Sequence, residues 1–277
     1  MANDTKKNLQ PVLSFDGKDD YVDLGNKPKF KVQRDLTLEV WVYIEKLDSW
    51  RGFISCYNDG SKGYSGYGLI LVGDYCGLCL ENSGSPSTAS SQNGSLQVNQ
   101  WYHIAGTYDG QVIKLYINGA EQASMPVQIS QLNYVAENNL RIGIHKDENE
   151  NKPFQGKITE ARLWEVARTP EEIQQTMHQR LTGNESGLVG YWPLNEGSGT
   201  TANDKSKNTN PGAIEGGATW QEQELELAPA PAPVTLNSSM GAGETGLQDY
   251  GYWYRWKQSL PKQSSNNKPF RRGRIWA

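Results

Sequence analysis

Nine consecutive residues set the limits on what this chain can fold into. In Leu36-Thr37-Leu38-Glu39-Val40-Trp41-Val42-Tyr43-Ile44 every second side chain is aliphatic, so an extended strand here has one apolar face. Glu39, Trp41 and Tyr43 occupy the other face. The same period of two, rich in β-branched and aromatic residues, returns over 12–15, 21–24, 51–57, 67–72, 76–81, 101–108, 112–117, 121–127, 140–144 and 156–164. Gly, Asn and Asp fall between these runs, and Asp109-Gly110-Gln111 and Asn118-Gly119 carry hairpin chemistry. Many short strands joined by tight turns predict an all-β protein, a sandwich of two antiparallel sheets.

One helix is predicted inside this pattern. Thr169 offers a capping hydroxyl, Pro170 suits the first helical position, and Glu172 stands three residues after the cap. Ile173, Met177 and Leu181 then share a face, and Gly183 marks the end. The helix is expected to be structural, covering a sheet edge.

A chain of 277 residues holds one large sandwich or two ordinary domains. Nine Trp and fourteen Tyr against five Phe suit half-buried sheet faces and recognition surfaces. No run reaches the ~18 apolar residues of a membrane span. Residues 1–8 are polar and basic with no apolar stretch after them, which predicts a cytoplasmic protein, a non-classically exported one or a mature fragment. Cys76-Gly77-Leu78-Cys79 has the spacing of zinc and redox sites. In a strand, however, positions three apart face opposite ways, so the two thiols are read as unrelated.

Four stretches then acquire a common meaning. They are Phe15-Asp16-Gly17-Lys18-Asp19-Asp20-Tyr21-Val22, the hairpin from Trp101 to Ala120, Leu163-Trp164-Glu165-Val166-Ala167-Arg168-Thr169, and the run from Tyr191-Trp192 through Glu196-Gly197-Ser198-Gly199-Thr200-Thr201. In this order they resemble the laminin-G-like, pentraxin-like branch of the concanavalin A-like lectin superfamily, from about Val12 to Trp220. The resemblance implies a jelly roll in which the first and last stretches are neighbouring edges. It also implies a binding module, most of whose relatives act outside cells.

Three kinds of chemistry bear on that frame. Asp16, Asp20, Asn203 and Asp204 are hard oxygen ligands on turns, the donors calcium takes. Asp204-Lys205-Ser206-Lys207-Asn208-Thr209-Asn210 resembles a family loop, with Lys207 in place of the family glycine. Two readings stand: a structural Ca2+ bracing the chain ends, or carboxylates that cap their own turns. For sugar binding, Tyr57, Asn58, Asp59, Tyr64 and Tyr67 combine aromatic faces with hydroxyl-bonding groups, and the Ser/Asn-rich stretch 82–94 adds more. The alternative is ordinary long loops propped by tyrosines. For catalysis, glycosidases of the same superfamily fold use an E-x-D-x-x-E strand. Between Glu39 and Glu45, Trp41 replaces the central aspartate and the second glutamate comes one residue late. His103, His145 and His178 form no readable triad, and His178 reads as a solvated helix residue. The chain is predicted not to be an enzyme.

Past residue 222 the character changes. The sandwich is expected over 10–222 after an N-terminal arm of 1–9. A linker over 223–236 contains Ala228-Pro229-Ala230-Pro231-Ala232-Pro233, and a tail covers 237–277. Residues 234–277 hold seven Lys and Arg against two acidic residues in a chain whose net charge is −4. Tyr252, Trp253, Tyr254, Arg255 and Trp256 are expected to dock a partner protein or a second copy, or to open an incomplete second module. A nucleic-acid arm is the less favoured reading. The predicted function is non-catalytic recognition of a carbohydrate or glycoprotein. The alternative is a structural or adaptor subunit whose tail makes the contact.

Overall fold

Leu36, Leu38, Val40, Val42 and Ile44 all enter one buried cluster, so the alternation read from the sequence sets the register of a central strand. The computed structural model describes residues 9–60, 63–82 and 85–228; the tail residues Tyr252, Trp253, Tyr254, Arg255 and Trp256 lie outside them. The first strands are β1 (Leu9–Asp16), β2 (Tyr21–Gly25), β3 (Leu36–Ile44), β4 (Ser49–Asn58), β5 (Ser65–Val72), β6 (Tyr75–Asn82) and β7 (Ser85–Ser90). Then come β8 (Trp101–Tyr108), β9 (Val112–Ile117), β10 (Ala120–Pro126), β11 (Leu140–Ile142), β12 (Ile144–Lys146), β13 (Asn151–Pro153) and β14 (Gln155–Trp164). Helix α1 (Pro170–Thr176) precedes β15 (Leu188–Trp192), β16 (Thr201–Ala202), β17 (Gly212–Glu215) and β18 (Thr219–Glu224).

The strands build a jelly-roll sandwich. One sheet runs β10-β9-β8-β3-β14-β1-β18, with β15 also on β14; the other runs β16-β17-β2-β11-β4-β5-β6-β7. The core between them takes Leu69 and Leu71 from β5, Leu78 and Leu80 from β6, Ile104 from β8 and Trp192 from β15. The two end motifs are brought near one another but are not paired: one strand links them in each sheet, β14 pairing with both β15 and β1, and β17 lying between β16 and β2. At the Asn118-Gly119 turn both residues have positive φ, 51° and 74°, as a two-residue hairpin of this hand requires.

Five expectations need correction. Residues 85–90, read as loop, form the edge strand of the second sheet; their small polar side chains hid the period of two. The sandwich also runs past 222. Residues through Glu224 pair with β1, Leu225 and Leu227 are buried against Trp41, and Ala228 bridges Gln179. Helix α1 has the expected capping box, in which the Thr169 hydroxyl accepts from Glu172 N and the Glu172 carboxylate accepts from Thr169 N. It stops at Thr176 because buried side chains take the carbonyls beyond: Arg162 donates to those of Thr176 and Gln179, and Trp41 Nε1 to that of Met177. Finally, α1 lies on the outer face of the first sheet, not on an edge, since Ile173 packs on Ala105 and Tyr116. His178 is accordingly half-buried, its ring 5.3 Å from that of Trp41.

A β-bulge in β14 prepares that outer face. Ile158, Ala161 and Leu163 all point into the core, so the strand loses its phase between 158 and 161. Glu160 takes φ 54° there, and its side chain joins Arg162 on the outer side. Glu39, His103, Glu160, Arg162 and Arg168 form a buried ionic group beneath α1.

Candidate functional site

The predicted strand 140–144 breaks at Gly143, and that break creates the most distinctive polar site in the molecule. Gly143 adopts φ +82°, and a Cβ there would fall 2.4 Å from the Phe15 ring, so only glycine lets the chain turn here. Ile144 opens a separate hairpin in which Ile144, His145 and Lys146 pair with Pro153, Lys152 and Asn151. The hairpin sits directly on β4, where a Cβ on Gly52 would be 2.3 Å from Ile144 O. His145 is thereby buried, with its ring centroid 5.5 Å from that of Tyr57.

Asp147 shapes the turn of this hairpin. Its Oδ1 accepts from Asn149 N and Glu150 N, each at 2.7 Å, and its Oδ2 accepts from Asp59 N at 3.4 Å. The end of β4 is thus tied to a segment 88 residues away. Asp59 Oδ1 comes to 3.4 Å and Glu150 Oε2 to 3.6 Å from His145 Nε2. The Asp59 carboxyl is held below its usual range, most by the His145 imidazole and against the effect of burial.

The sugar candidates separate around this cluster. Asp59 belongs to it, and Tyr64 is exposed beside it in sequence. Tyr57 is buried as the platform for His145. Asn58 is buried and shapes the turn, its Oδ1 accepting from Gly60 N at 2.8 Å. Tyr67 is a core residue and no ligand contact: it is fully buried, and its hydroxyl donates to Phe30 O at 2.6 Å. His145, Asp147 and Glu150 were missed. The available signal was the polar run His145-Lys146-Asp147-Glu148-Asn149-Glu150.

The four calcium candidates fall into two places. Asp16 and Asp20 gather with Asp19, their oxygens within 4.8 Å of one another, and Asp16 is paired with Lys18 at 2.9 Å. Asp20 Oδ2 accepts from Asp16 N at 2.7 Å, and burial raises its carboxyl. These residues line an open polar cleft of about 750 Å3 with Lys18, Glu45, Gln155 and Gln221. Asp204 is elsewhere and occupied. It accepts from Tyr191 N, Ser206 N, Ser206 Oγ and Asn210 N at 2.8–3.0 Å, which is the turn-capping reading. Asn203 donates to Glu196 Oε1 from both its backbone and its amide.

The thiols of Cys76 and Cys79 face opposite sides of β6. Cys76 lies in the main core while Cys79 packs with Tyr57 on the opposite face, and burial pushes their thiols up to about 12 and about 11. Glu39 is fully buried between Arg162, Arg168 and His103.

Comparison with known proteins agrees with this architecture. Mouse pappalysin-1 is 37% identical over 81 residues, 29% of this chain and 5% of that protein, so the chain spans about one-twentieth of this curated relative. A Bacteroides ovatus structure, described as a candidate carbohydrate-binding protein, superposes with a TM-score of 0.61 at 22% identity, over 79% of this chain and 62% of that one. A carbohydrate-binding module of a Ruminococcus gnavus sialidase, bound to α2,3-sialyllactose, gives 0.50 at 17% identity over 58% of this chain and 95% of that one. These two likenesses speak to the fold. The sequence profile of the concanavalin A-like lectin/glucanases superfamily, in its laminin G form, matches residues 16–174. With that match across more than half of its length, the chain belongs to the concanavalin A-like lectin/glucanases superfamily.

Proposed function

We propose that the chain is a non-catalytic carbohydrate-recognition module, and that its binding surface lies where residues 58–60 meet the β12–β13 hairpin. The observation that carries this reading is the meeting of Asp59 with His145, Asp147 and Glu150 at one rim of the second sheet, close in sequence to the exposed Tyr64. Carboxylates accept hydrogen bonds from sugar hydroxyls, and an exposed ring offers its face to the apolar side of a pyranose. Tyr64, 42% exposed, is the one aromatic among the exposed large apolar side chains described. The two solved structures of this fold that are described as carbohydrate-binding support the choice of ligand class. Recognition without catalysis is supported by the burial of Glu39.

A glycan array followed by calorimetry on the best ligand tests the proposal. Tyr64→Ala is expected to weaken binding by about 1–2 kcal/mol with an unchanged melting temperature. Gln155→Ala, in the polar cleft at the other site, is expected to leave affinity intact. The opposite pattern would move the sugar site to that cleft, and glycan affinity absent from a folded protein would sink the reading.

A further inference from the structure

We propose that residues 225–228 form an acid-released latch: a proton on His103 lifts them, with their seat at 176–180, from the outer face of the first sheet while the sandwich stays closed. The His103 side chain is 1% exposed, and neither ring nitrogen has a hydrogen-bond partner among the described residues. Nε2 lies 3.4 Å from Glu39 Oε2, beyond ordinary hydrogen-bond length. The other members of the buried ionic group already cancel, Arg162 and Arg168 against Glu39 and Glu160. Glu39 is shared out between them, Oε1 to Arg168 at 2.7 Å and Oε2 to Arg162 at 3.5 Å. A proton on His103 therefore adds a net charge to a balanced interior, which is costly while the group stays covered.

No surrounding element offers His103 a spare negative charge. From β3 the ring meets Glu39 and the indole of Trp41, and from β14 it meets Arg162, which is itself paired with Glu160. Arg168 arrives from the segment before α1 and His178 from the segment after it. On the β9 side the neutral Asn118 accepts from His103 N at 2.9 Å. Within the latch, Glu226 faces His178. Burial lowers His103 in spite of Glu39, and lowers the half-buried His178 in spite of a hydrogen bond to the Glu226 backbone and the Glu226 charge.

The groups around His103 also hold the seat of the latch. Trp41 lies between the two histidines, its ring 5.5 Å from that of His103 and 5.3 Å from that of His178, and its Nε1 donates to Met177 O at 2.7 Å. Arg162 holds the carbonyls of Thr176 and Gln179. On that seat Ala228 N donates to His178 O at 2.7 Å, and Arg180 N donates to Ala228 O at 2.9 Å. Leu225 and Leu227 complete the latch by packing on Trp41 beside Trp101. These four residues follow the last strand of a sheet edge, so they open at lower cost than the strands beneath. Once they lift, water reaches His103 and its ring regains the ordinary value of 6.5. Below that pH, release takes up a proton and is favoured by about tenfold per pH unit, until the lowered value of the seated ring is passed. Release bares Trp41, Leu225 and Leu227, an apolar surface that is closed at neutral pH.

Hydrogen exchange of the full-length protein, corrected for the intrinsic rate at each pH, tests the latch. Protection of 225–228 and 176–180 is expected to fall by about tenfold between pH 6.5 and 5.5 and to change little between pH 8 and 7, while β3 and β5 stay protected. His103→Gln should remove that dependence, and His178→Gln should keep most of it. The proposal is overturned if protection of these residues is the same at pH 7 and 5.5, if His103→Gln follows the parent, or if β3 and β5 lose protection in the same step. Should His103→Gln fail to fold, the imidazole resonance of His103, one of three histidines in the chain, decides in the parent protein. It is expected to titrate below the ordinary value of 6.5, and titration at or above that value overturns the latch.

Discussion

Arg162→Met is expected to destabilise the sandwich by about 3–5 kcal/mol, read as a shift in urea midpoint, because breaking one side of a buried ion pair strands the other charge. The guanidinium is fully buried and donates to Glu160 at 3.0 Å and to the carbonyls of Thr176 and Gln179 at 3.2 and 2.7 Å, and it lies 3.5 Å from Glu39. Without it, Glu160 keeps the Tyr191 hydroxyl among the described residues, and the end of α1 loses the donors to Thr176 O and Gln179 O while Trp41 still holds Met177 O. Adding Glu160→Gln should return part of the loss, since the carboxylate left behind is then neutral. A single variant as stable as the parent would show that the group contributes nothing net.

The same group makes stability depend on acid. Burial alone would raise the Glu39 carboxyl, but the His103 contact and the charges of Arg162 and Arg168 outweigh it and hold it at about 2. A depressed carboxyl stabilises the fold fully above its ordinary value near 4.5, and that contribution is lost as pH falls toward about 2. Burial also lowers His103, which works in the same direction once pH drops below the ordinary histidine range. In Arg162→Met the acid loss should therefore begin at higher pH than in the parent.

Asp204→Ala is expected to cost on the order of 3–5 kcal/mol, because four donors lose a charged acceptor and Tyr191 N is buried. For a domain of this size that lowers the melting temperature by roughly 10 °C. The deficit should be the same in EDTA and in millimolar calcium. If calcium stabilises the parent and the substitution abolishes that gain, the calcium brace is correct and the turn-cap account is wrong.

Legibility followed the period of two. Where one face meets the core, as in Leu36–Ile44, alternation gave the strand, its bounds and its inward residues. It could not say what covers the other face, where α1 and Leu225 to Ala228 roof that side of the sheet. The bulge at Glu160 was hidden because one inserted residue leaves the local composition unchanged. Asp59 and His145 were read on separate segments, since contacts at a separation of 88 residues, such as that from Asp59 N to Asp147, leave no local trace in a single sequence. Asp204 was legible as a turn residue, and its capping role follows from Asx chemistry alone.

The pairing of β1 with β18 also decides how this domain answers a pull. Leu9 lies opposite Glu224, so the two ends of the sandwich leave side by side from one ladder. A load applied through flanking chain would open that ladder like a zip, breaking its hydrogen bonds one after another instead of shearing them together. The clasp of Ala228 on His178 and Arg180, backed by Leu225 and Leu227 on Trp41, must slip before β18 can peel. Tethered in series, the module should yield at low force from this edge inward, while the sheets around His145 stay closed.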